Sequence, residues 1–284
     1  TITLSGFDLA GNTGTEIISG VTYDTTPPTM SIQSPTPGVV NGGRYNSFIT
    51  LKFTPSESIE NFVESDITVI DNGNNGYTIT EFNNINLDYT CKFTPSGTNS
   101  TYEILVSANT FNDLAGNANV VDTASFIWTY DNTLPILTVS EPSSNSFINT
   151  TSLIYSVNEI LSGGTIFVSE NGGSVTEIVL STNVGEYTEE LSFNNGSTYT
   201  ITLSGFDLAD NTGTTIVSGV TYDTTPPELT VTEPSSNSFV NSTSLVYSVN
   251  EILSGGTIFV SENGGGVTEI ELSTNVGEHT QELS

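Results

Sequence analysis

Internal repetition is the feature that most constrains how this 284-residue chain can fold. Residues 136–192 match 228–284 at 48 of 57 positions, and residues 1–28 match 200–227 at 25 of 28 positions. The segment 29–135 is a longer, diverged copy that keeps the same landmarks. Repeats of this size, 92 and 107 residues, are too long for the turns of a solenoid, so each repeat is predicted to be one autonomous domain.

The landmarks also place the domain boundaries. The sequence YDTTPP at 23–28 returns as YDNTLP at 130–135 and as YDTTPP at 222–227, which marks three junctions. The predicted parts of the chain are the N-terminal segment (1–28, the last two strands of a domain), domain I (29–135), domain II (136–227), and the C-terminal segment (228–284, the first strands of a domain).

Each repeat contains short strands that alternate apolar and polar residues and are broken by turn residues every 8–12 positions. In 153–157, for example, Leu153, Tyr155 and Val157 fall on one face. No segment shows a helical period of useful length. This pattern predicts an all-β fold of tandem immunoglobulin-like sandwiches. Further inward rows are predicted for Tyr199, Ile201 and Leu203, and for Phe126, Trp128 and Tyr130.

Turn chemistry supports the same fold. The sequence NGG at 171–173 and 263–265 predicts hairpin turns, since Asn and Gly tolerate positive φ. Tyr102 and Tyr199 each follow a polar turn at the start of the penultimate strand. Immunoglobulin-like sandwiches often keep a tyrosine corner at this position, so we expect one in each complete domain.

The charge balance excludes several classes of partner. Three basic residues stand against 32 acidic ones, which gives a net charge of −29. Binding of nucleic acid or of an anionic membrane surface needs clustered Lys and Arg, so neither is expected. No apolar run approaches the ~18 residues of a membrane span, and no membrane insertion is expected in this segment. Abundant Asn and Thr suit an extracellular surface.

Cysteine and histidine are nearly absent, which leaves little catalytic chemistry. With Cys91 alone there is no intrachain disulfide, and we expect Cys91 to be a buried strand residue. His279 aligns with Tyr187, so the sister repeat has no imidazole there. One His and one Cys cannot assemble a Ser-His-Asp or Cys-His site, and the chain is predicted not to be an enzyme.

Acidic residues recur at the places where one domain meets the next. In this fold the linker, the end of the second strand and the last loop lie at the same end of a domain. Carboxylates that meet there without a basic partner repel unless a hard cation accepts them, which predicts Ca²⁺ at each junction. Alternatively, these side chains only form turns. The predicted ligands are Asp24, Glu57, Asp113 and Asn117 before domain I; Asp131, Glu159, Asp207 and Asn211 before domain II; and Asp223 and Glu251 before the C-terminal segment.

The order of these motifs carries a family resemblance over the whole chain. A Ser-Glu or Asn-Glu pair is followed by D-x-A-G-N, by a strand bearing Trp or Tyr, and by D-T-T-P-P. This order resembles the bacterial Ig-like repeats of large cell-surface adhesins and surface filaments. The resemblance implies a non-catalytic, extracellular structural segment, a stalk or filament on the cell surface. The alternative is an adhesin module that binds glycans or a partner cell, for which domain I, with Trp128, Arg44, Lys52 and Lys92, is the candidate.

The two outer segments are complementary, since together they make one repeat that lacks only the counterparts of 193–199. Neither segment can bury its inner face alone. Two hypotheses follow. The sequence is a window on a longer covalent array, or the last two strands of one copy complete the open domain of the next, head to tail, by strand complementation.

Overall fold

The computed structural model describes residues 1–120, 125–262 and 265–283, and it is all-β, as the sequence predicts. One short 3-10 helix, Glu64–Asp66, accompanies the strands in this part of the chain. The second predicted NGG turn, at 263–265, has Asn263 and Gly264 outside the described residues.

The N-terminal segment is a two-stranded antiparallel hairpin. Strand β1 (Ile2–Phe7) pairs with β2 (Thr13–Ile18), with Ile2 opposite Ile18. Every residue of both strands is exposed, so the hairpin has no core of its own among the described residues.

Domain I is a two-sheet sandwich with immunoglobulin-like strand order. Its main sheets are β3-β5-β9-β8 and β4-β12-β10-β7, and β6 pairs with β11 at one end. This arrangement corresponds to the ABED and CFG sheets of immunoglobulin domains. The strands are β3 (Met30–Gln33), β4 (Arg44–Tyr45), β5 (Ile49–Pro55), β6 (Ile59–Glu60), β7 (Ile67–Asp71), β8 (Tyr77–Ile85), β9 (Asp88–Pro95), β10 (Ser100–Val106), β11 (Asn112–Asp113) and β12 (Phe126–Tyr130).

Alternation along the strands builds the core of domain I. Phe126 and Trp128 of β12 are buried, and the Trp128 ring packs edge-on against Phe93 at 5.8 Å. Cys91 of β9 is buried between the sheets, as predicted, and burial raises the pKa of its thiol to about 12. Burial of each large apolar side chain contributes about 1.5–3 kcal/mol, so these rows, rather than turn propensity, hold the sandwich together.

Domain II repeats the sandwich with one strand rearranged. Its sheets are β13-β15-β18 and β14-β20-β19-β16-β17. Strand β17 pairs with β16, whereas its counterpart in domain I, β8, pairs with β9 in the opposite sheet. The strands are β13 (Leu137–Glu141), β14 (Phe147–Ile148), β15 (Ser152–Val157), β16 (Leu161–Glu170), β17 (Val175–Val179), β18 (Gly185–Glu190), β19 (Thr198–Asp207) and β20 (Thr212–Tyr222).

The predicted inward rows and the first hairpin turn of domain II are confirmed. Leu153, Tyr155 and Val157 are buried, and so is the row Tyr199, Ile201 and Leu203. Between β16 and β17, Asn171 and Gly172 have φ of 49° and 70°, the left-handed values that a two-residue hairpin turn requires.

The two predicted tyrosine corners differ. The Tyr199 hydroxyl accepts a hydrogen bond of 2.6 Å from the backbone N–H of Asn194, five residues upstream, as a tyrosine corner does. The Tyr102 hydroxyl instead donates to the carbonyl of Gly76, 26 residues upstream, at 2.8 Å. The strand rearrangement accounts for this difference, because β8 of domain I begins at Tyr77, beside that carbonyl.

The C-terminal segment forms only part of a sandwich. Its sheets are β21-β22-β25 and β23-β24, and its small core consists of Tyr247, Val249 and Leu272. Leu245 and Ile258 are only partly buried, although their domain II counterparts are fully buried. The strands are β21 (Leu229–Glu233), β22 (Ser244–Val249), β23 (Thr257–Ser261), β24 (Val267–Glu271) and β25 (Gly277–Glu282).

Candidate metal centres at the domain junctions

The fold brings six of the predicted ligands into two groups of three carboxylates. Within each group, one oxygen from each residue lies within 4.8 Å of the others. We name them the Asp24 group (Asp24, Glu57 and Asp113) and the Asp131 group (Asp131, Glu159 and Asp207).

Three separate elements contribute to each group. Asp24 lies in the linker after β2, Glu57 follows β5, and Asp113 ends β11. In the second group Asp131 lies in the linker, Glu159 follows β15, and Asp207 ends β19. The second strand of a sandwich returns to the linker, and this topology explains why residues far apart in sequence meet.

The D-x-A-G-N motif forms a tight loop through the side chain of its aspartate. Oδ1 of Asp113 accepts hydrogen bonds from the N–H groups of Ala115 and Asn117, at 2.9 and 2.8 Å. Its Oδ2 accepts the Asn117 amide at 2.7 Å. The φ of +90° at Gly116 suits glycine, and in domain II Asp210 takes this position with φ of 66°.

The asparagine of the motif ties this loop to the linker. Nδ2 of Asn117 donates to the carbonyl of Asp24 at 3.1 Å, and Nδ2 of Asn211 donates to the carbonyl of Asp131 at 2.9 Å. The linker aspartates also form turns, since Oδ1 of Asp131 accepts the N–H of Thr133 at 3.2 Å. These contacts agree with the turn-forming alternative, and they engage both carboxylate oxygens of Asp113 and of Asp207.

The electrostatics of both groups favour added positive charge. Desolvation, followed by repulsion from Asp24 and Asp113, raises the pKa of the Glu57 carboxyl. Desolvation and repulsion from Asp207 and Asp131 likewise raise the pKa of Glu159. A raised carboxyl pKa means that negative charge at this place is poorly compensated.

The structure adds one residue that the sequence interpretation missed. Arg44 of domain I lines the same cleft as Asp131 and Glu159, and its Nη1 lies 3.2 Å from Oδ2 of Asp131. The expectation of carboxylates without a basic partner is therefore wrong for the Asp131 group. Among the described residues, no basic side chain forms a salt bridge with the Asp24 group.

The last predicted pair does not complete a group. Asp223 and Glu251 are not part of any set of three possible ligands in the described part of the chain. Oδ1 of Asp223 accepts the N–H of Thr225 at 2.9 Å, which is the same linker turn as in the other junctions.

The donor chemistry of the complete groups fits Ca²⁺. All the ligands are oxygens, and three carboxylates from three elements converge, as hard cations prefer. Asn117 turns its Nδ2, rather than its amide oxygen, toward Asp24 and Asp113. In the Asp131 group the corresponding oxygen, Oδ1 of Asn211, already accepts a bond of 3.1 Å from Asn46.

The four residues that make domain I the candidate binding module are buried or make contacts inside the protein. Trp128 is buried, and Arg44 pairs with Asp131. Lys52 forms a salt bridge of 2.9 Å with Asp88, and the Lys92 ammonium lies 4.2 Å from the centre of the Phe48 ring. These contacts give each of the four residues a structural role.

Among the described residues, no helix has the length and apolar composition that a membrane span requires.

The chain is similar to solved bacterial adhesins. A Ca²⁺-stabilised adhesin that helps an Antarctic bacterium reach out and bind ice is 19% identical, with 98% of this chain and 71% of that chain covered and a TM-score of 0.30. A structure from a 1.5-MDa bacterial ice-binding adhesin is 16% identical, with 90% and 87% covered and a TM-score of 0.30.

No curated protein sequence matches the chain significantly. The family model described as a bacterial Ig-like domain matches residues 24–129, which include the linker aspartate and most of domain I. Residues 24–129 of this chain therefore belong to the bacterial Ig-like domain family.

Proposed function

We propose that the chain is a non-catalytic structural segment of an extracellular filament or adhesin stalk on a cell surface. Its domains follow one another head to tail, and Ca²⁺ stiffens their junctions. The observation that carries this proposal is the meeting of a linker carboxylate with two loop carboxylates of the following domain, at both complete junctions. Near-identical repeats suit a spacer, because a spacer needs length rather than a unique surface.

The stiffening has a simple physical basis. A cation held by Asp24, Glu57 and Asp113 links the linker to two loops of domain I, so the linker loses rotational freedom. The ion also neutralises carboxylates that otherwise repel. Extracellular modules typically bind Ca²⁺ with a Kd of about 10⁻⁴–10⁻³ M, which suits a site that fills outside the cell.

The charge of the chain supports the same setting. A net charge of −29 with three basic residues disfavours binding to nucleic acid and to anionic membranes. It also makes neighbouring domains repel each other, so divalent cations should shorten or stiffen the array.

Calcium titration of the whole chain tests this proposal. Isothermal titration calorimetry should show binding that weakens about tenfold or more in Glu57→Gln, because this change removes one charged ligand and preserves the shape of the side chain. Glu251→Gln is the matched control, since Glu251 lies in no group of three carboxylates in the described part of the chain. Equal isotherms for the wild type and Glu57→Gln would contradict the metal, and X-ray scattering with and without chelator would then decide whether the array is stiff without it.

We also propose that strands of a neighbouring repeat complete the two outer segments, in the same polypeptide or in another copy. The inner face of the N-terminal hairpin is exposed, and Leu4 is 73% exposed while its counterpart Leu203 is fully buried. In domain II, β19 pairs with β16 along nine residue pairs. The C-terminal segment has the counterpart of β16, strand β23, with that edge unpaired among the described residues.

Sedimentation velocity at increasing concentration tests this complementation in trans. The wild-type chain should associate, and Leu4→Asp should weaken the association strongly because it places a charge on the buried face. Ile17→Asp is the matched control, since Ile17 and its counterpart Ile216 are each 61% exposed. A chain that stays monomeric, or equal effects of the two variants, would contradict strand complementation.

A further inference from the structure

Two side chains of domain I contact the junction with domain II, one on the linker aspartate and one on domain II itself. Nη1 of Arg44 donates to Oδ2 of Asp131 at 3.2 Å, and Asp131 is buried with 4% of its surface exposed. Two residues further on, Nδ2 of Asn46 donates to Oδ1 of Asn211 at 3.1 Å. Asn211 belongs to the last loop of domain II and is also buried.

We propose that Arg44 and Asn46 form a clamp that holds domain I against domain II without a metal ion. The contacts form one continuous hydrogen-bond network, because Asn211 also donates to the carbonyl of Asp131 and to Oδ2 of Asp207. Arg44 of domain I and Asn211 of domain II therefore both bind the linker residue Asp131. Asn46 of domain I also binds Asn211 directly.

Burial makes this ion pair more than a surface contact. Exposed salt bridges contribute little, since water screens them and both side chains lose freedom. Here the acceptor carboxylate is buried, with 6% of its side chain exposed, whereas 48% of the Arg44 side chain is exposed, so water screens the pair from one side only. Loss of the guanidinium would leave a buried carboxylate poorly compensated.

The next junction lacks the arginine although its backbone is the same. Strand β14 pairs with β20 in the register in which β4 pairs with β12, and Phe147 occupies the place of Arg44. The N–H of Asp223 donates to the carbonyl of Ile148, as the N–H of Asp131 donates to that of Tyr45. Phe147 is 79% exposed, so a longer, charged side chain has room there.

The clamp also distinguishes the two carboxylate groups. Arg44 supplies one positive charge to the Asp131 group, whereas no basic side chain pairs with the Asp24 group in the described part of the chain. The junction between domains I and II should therefore stay closed when divalent ions are removed. This property goes beyond the proposed calcium sites and does not rest on them.

Limited proteolysis of the whole chain in EDTA tests the clamp. Proteinase K should cut the exposed linker residues 132–134 faster in Arg44→Gln and in Asn46→Ala than in the wild type, since cleavage follows the open population. We expect about a tenfold increase in Arg44→Gln, which loses a charge-assisted hydrogen bond, and an increase of about threefold in Asn46→Ala, which loses a bond between two neutral amides. Lys52→Gln is the matched control, because its salt bridge with Asp88 lies inside domain I. Wild-type cleavage rates in both junction variants would overturn the proposal.

A second variant, which adds the arginine contact at the next junction, keeps the clamp testable if Arg44→Gln misfolds. Phe147→Arg should slow cleavage of the 224–228 linker in EDTA by placing a guanidinium beside Asp223. If hydrogen exchange shows that Arg44→Gln unfolds domain I, unchanged cleavage of 224–228 in Phe147→Arg overturns the clamp. Because no calcium is present, failure of the calcium titration leaves these outcomes unaffected.

Discussion

The segments 1–28 and 200–227 share 25 of 28 residues, and the hairpins that they form differ in the burial of their inner faces. In β1 and β2, Ile2 lies opposite Ile18, and in β19 and β20 their counterparts Ile201 and Val217 lie opposite each other. The first pair is exposed, whereas the second is buried in the core of domain II. Strand pairing is thus encoded locally, and burial depends on the opposing sheet.

The loops of the same hairpins extend the comparison. Oδ1 of Asp8 accepts the N–H groups of Ala10 and Asn12 at 2.8 Å each, as Oδ1 of Asp207 accepts those of its own loop. Among the described residues, however, Asn12 donates to no linker carbonyl, whereas Asn211 does. The motif makes the loop by itself, but the junction requires two domains.

The largest expected effect concerns the shared core position. Ile201→Ala should destabilise domain II by about 2–5 kcal/mol, because it leaves a cavity in a packed core. Ile2→Ala, the same change in the exposed hairpin, should alter the stability of either complete domain by less than about 0.5 kcal/mol. Native-state hydrogen exchange resolves the domains separately, and similar losses in both variants would break the comparison.

Removal of the loop aspartate should have the next largest effect. Asp207→Ala, measured in EDTA, should destabilise domain II by about 1–3 kcal/mol, because the buried donors of Ala209 and Asn211 lose their acceptor. Asp8→Ala removes the same bonds where water can replace them. Hydrogen exchange of β19 and β20 should become faster in Asp207→Ala. Unchanged exchange in this variant would show that the hydrogen bonds of Asp207 do not stabilise domain II.

The tyrosine corner gives a smaller difference. Tyr199→Phe should destabilise domain II by about 0.5–1.5 kcal/mol, since the N–H of Asn194 loses its acceptor while the ring packing remains. Tyr187→Phe serves as control, because its hydroxyl bonds to Asn183 at the exposed surface. Urea denaturation followed by domain-resolved exchange measures both, and a larger loss in Tyr187→Phe would contradict the assignment.

The smallest expected effect is a pH dependence. Hydrogen bonds from Ser197 and Asn194 lower the pKa of Glu170 in the folded state. The ionised Glu170 carboxylate therefore adds to the stability of domain II at pH values above its unfolded-state pKa of about 4.5. This added stability is lost as the pH falls through the lower pKa of the folded state. Glu170→Gln should flatten the acid loss of domain II stability. Its counterpart Glu262→Gln should not, and an unchanged acid profile in Glu170→Gln would contradict this role.

Much of the fold was predictable because the repeats present the same pattern several times. The rows around Leu153 and Ile201 follow from alternation, and the convergence of Asp24, Glu57 and Asp113 follows from the topology of the sandwich. The sequence contains no pattern that connects Arg44 with Asp131, 87 residues later, since the counterpart of Arg44 in domain II is Phe147. It also did not show that β8 and β17 join opposite sheets, because edge strands of either sheet have the same alternation.

The sequence by itself determined the strands, the turns and the aspartate loops, since these depend on backbone preferences and on side chains within a few residues of each other. The Asp8 loop shows this, because it forms without any neighbouring domain. Only the tertiary structure decided which carboxylates receive a basic partner and which apolar faces are buried. Both properties depend on groups brought together from distant parts of the chain, and short-range patterns contain no information about those distances.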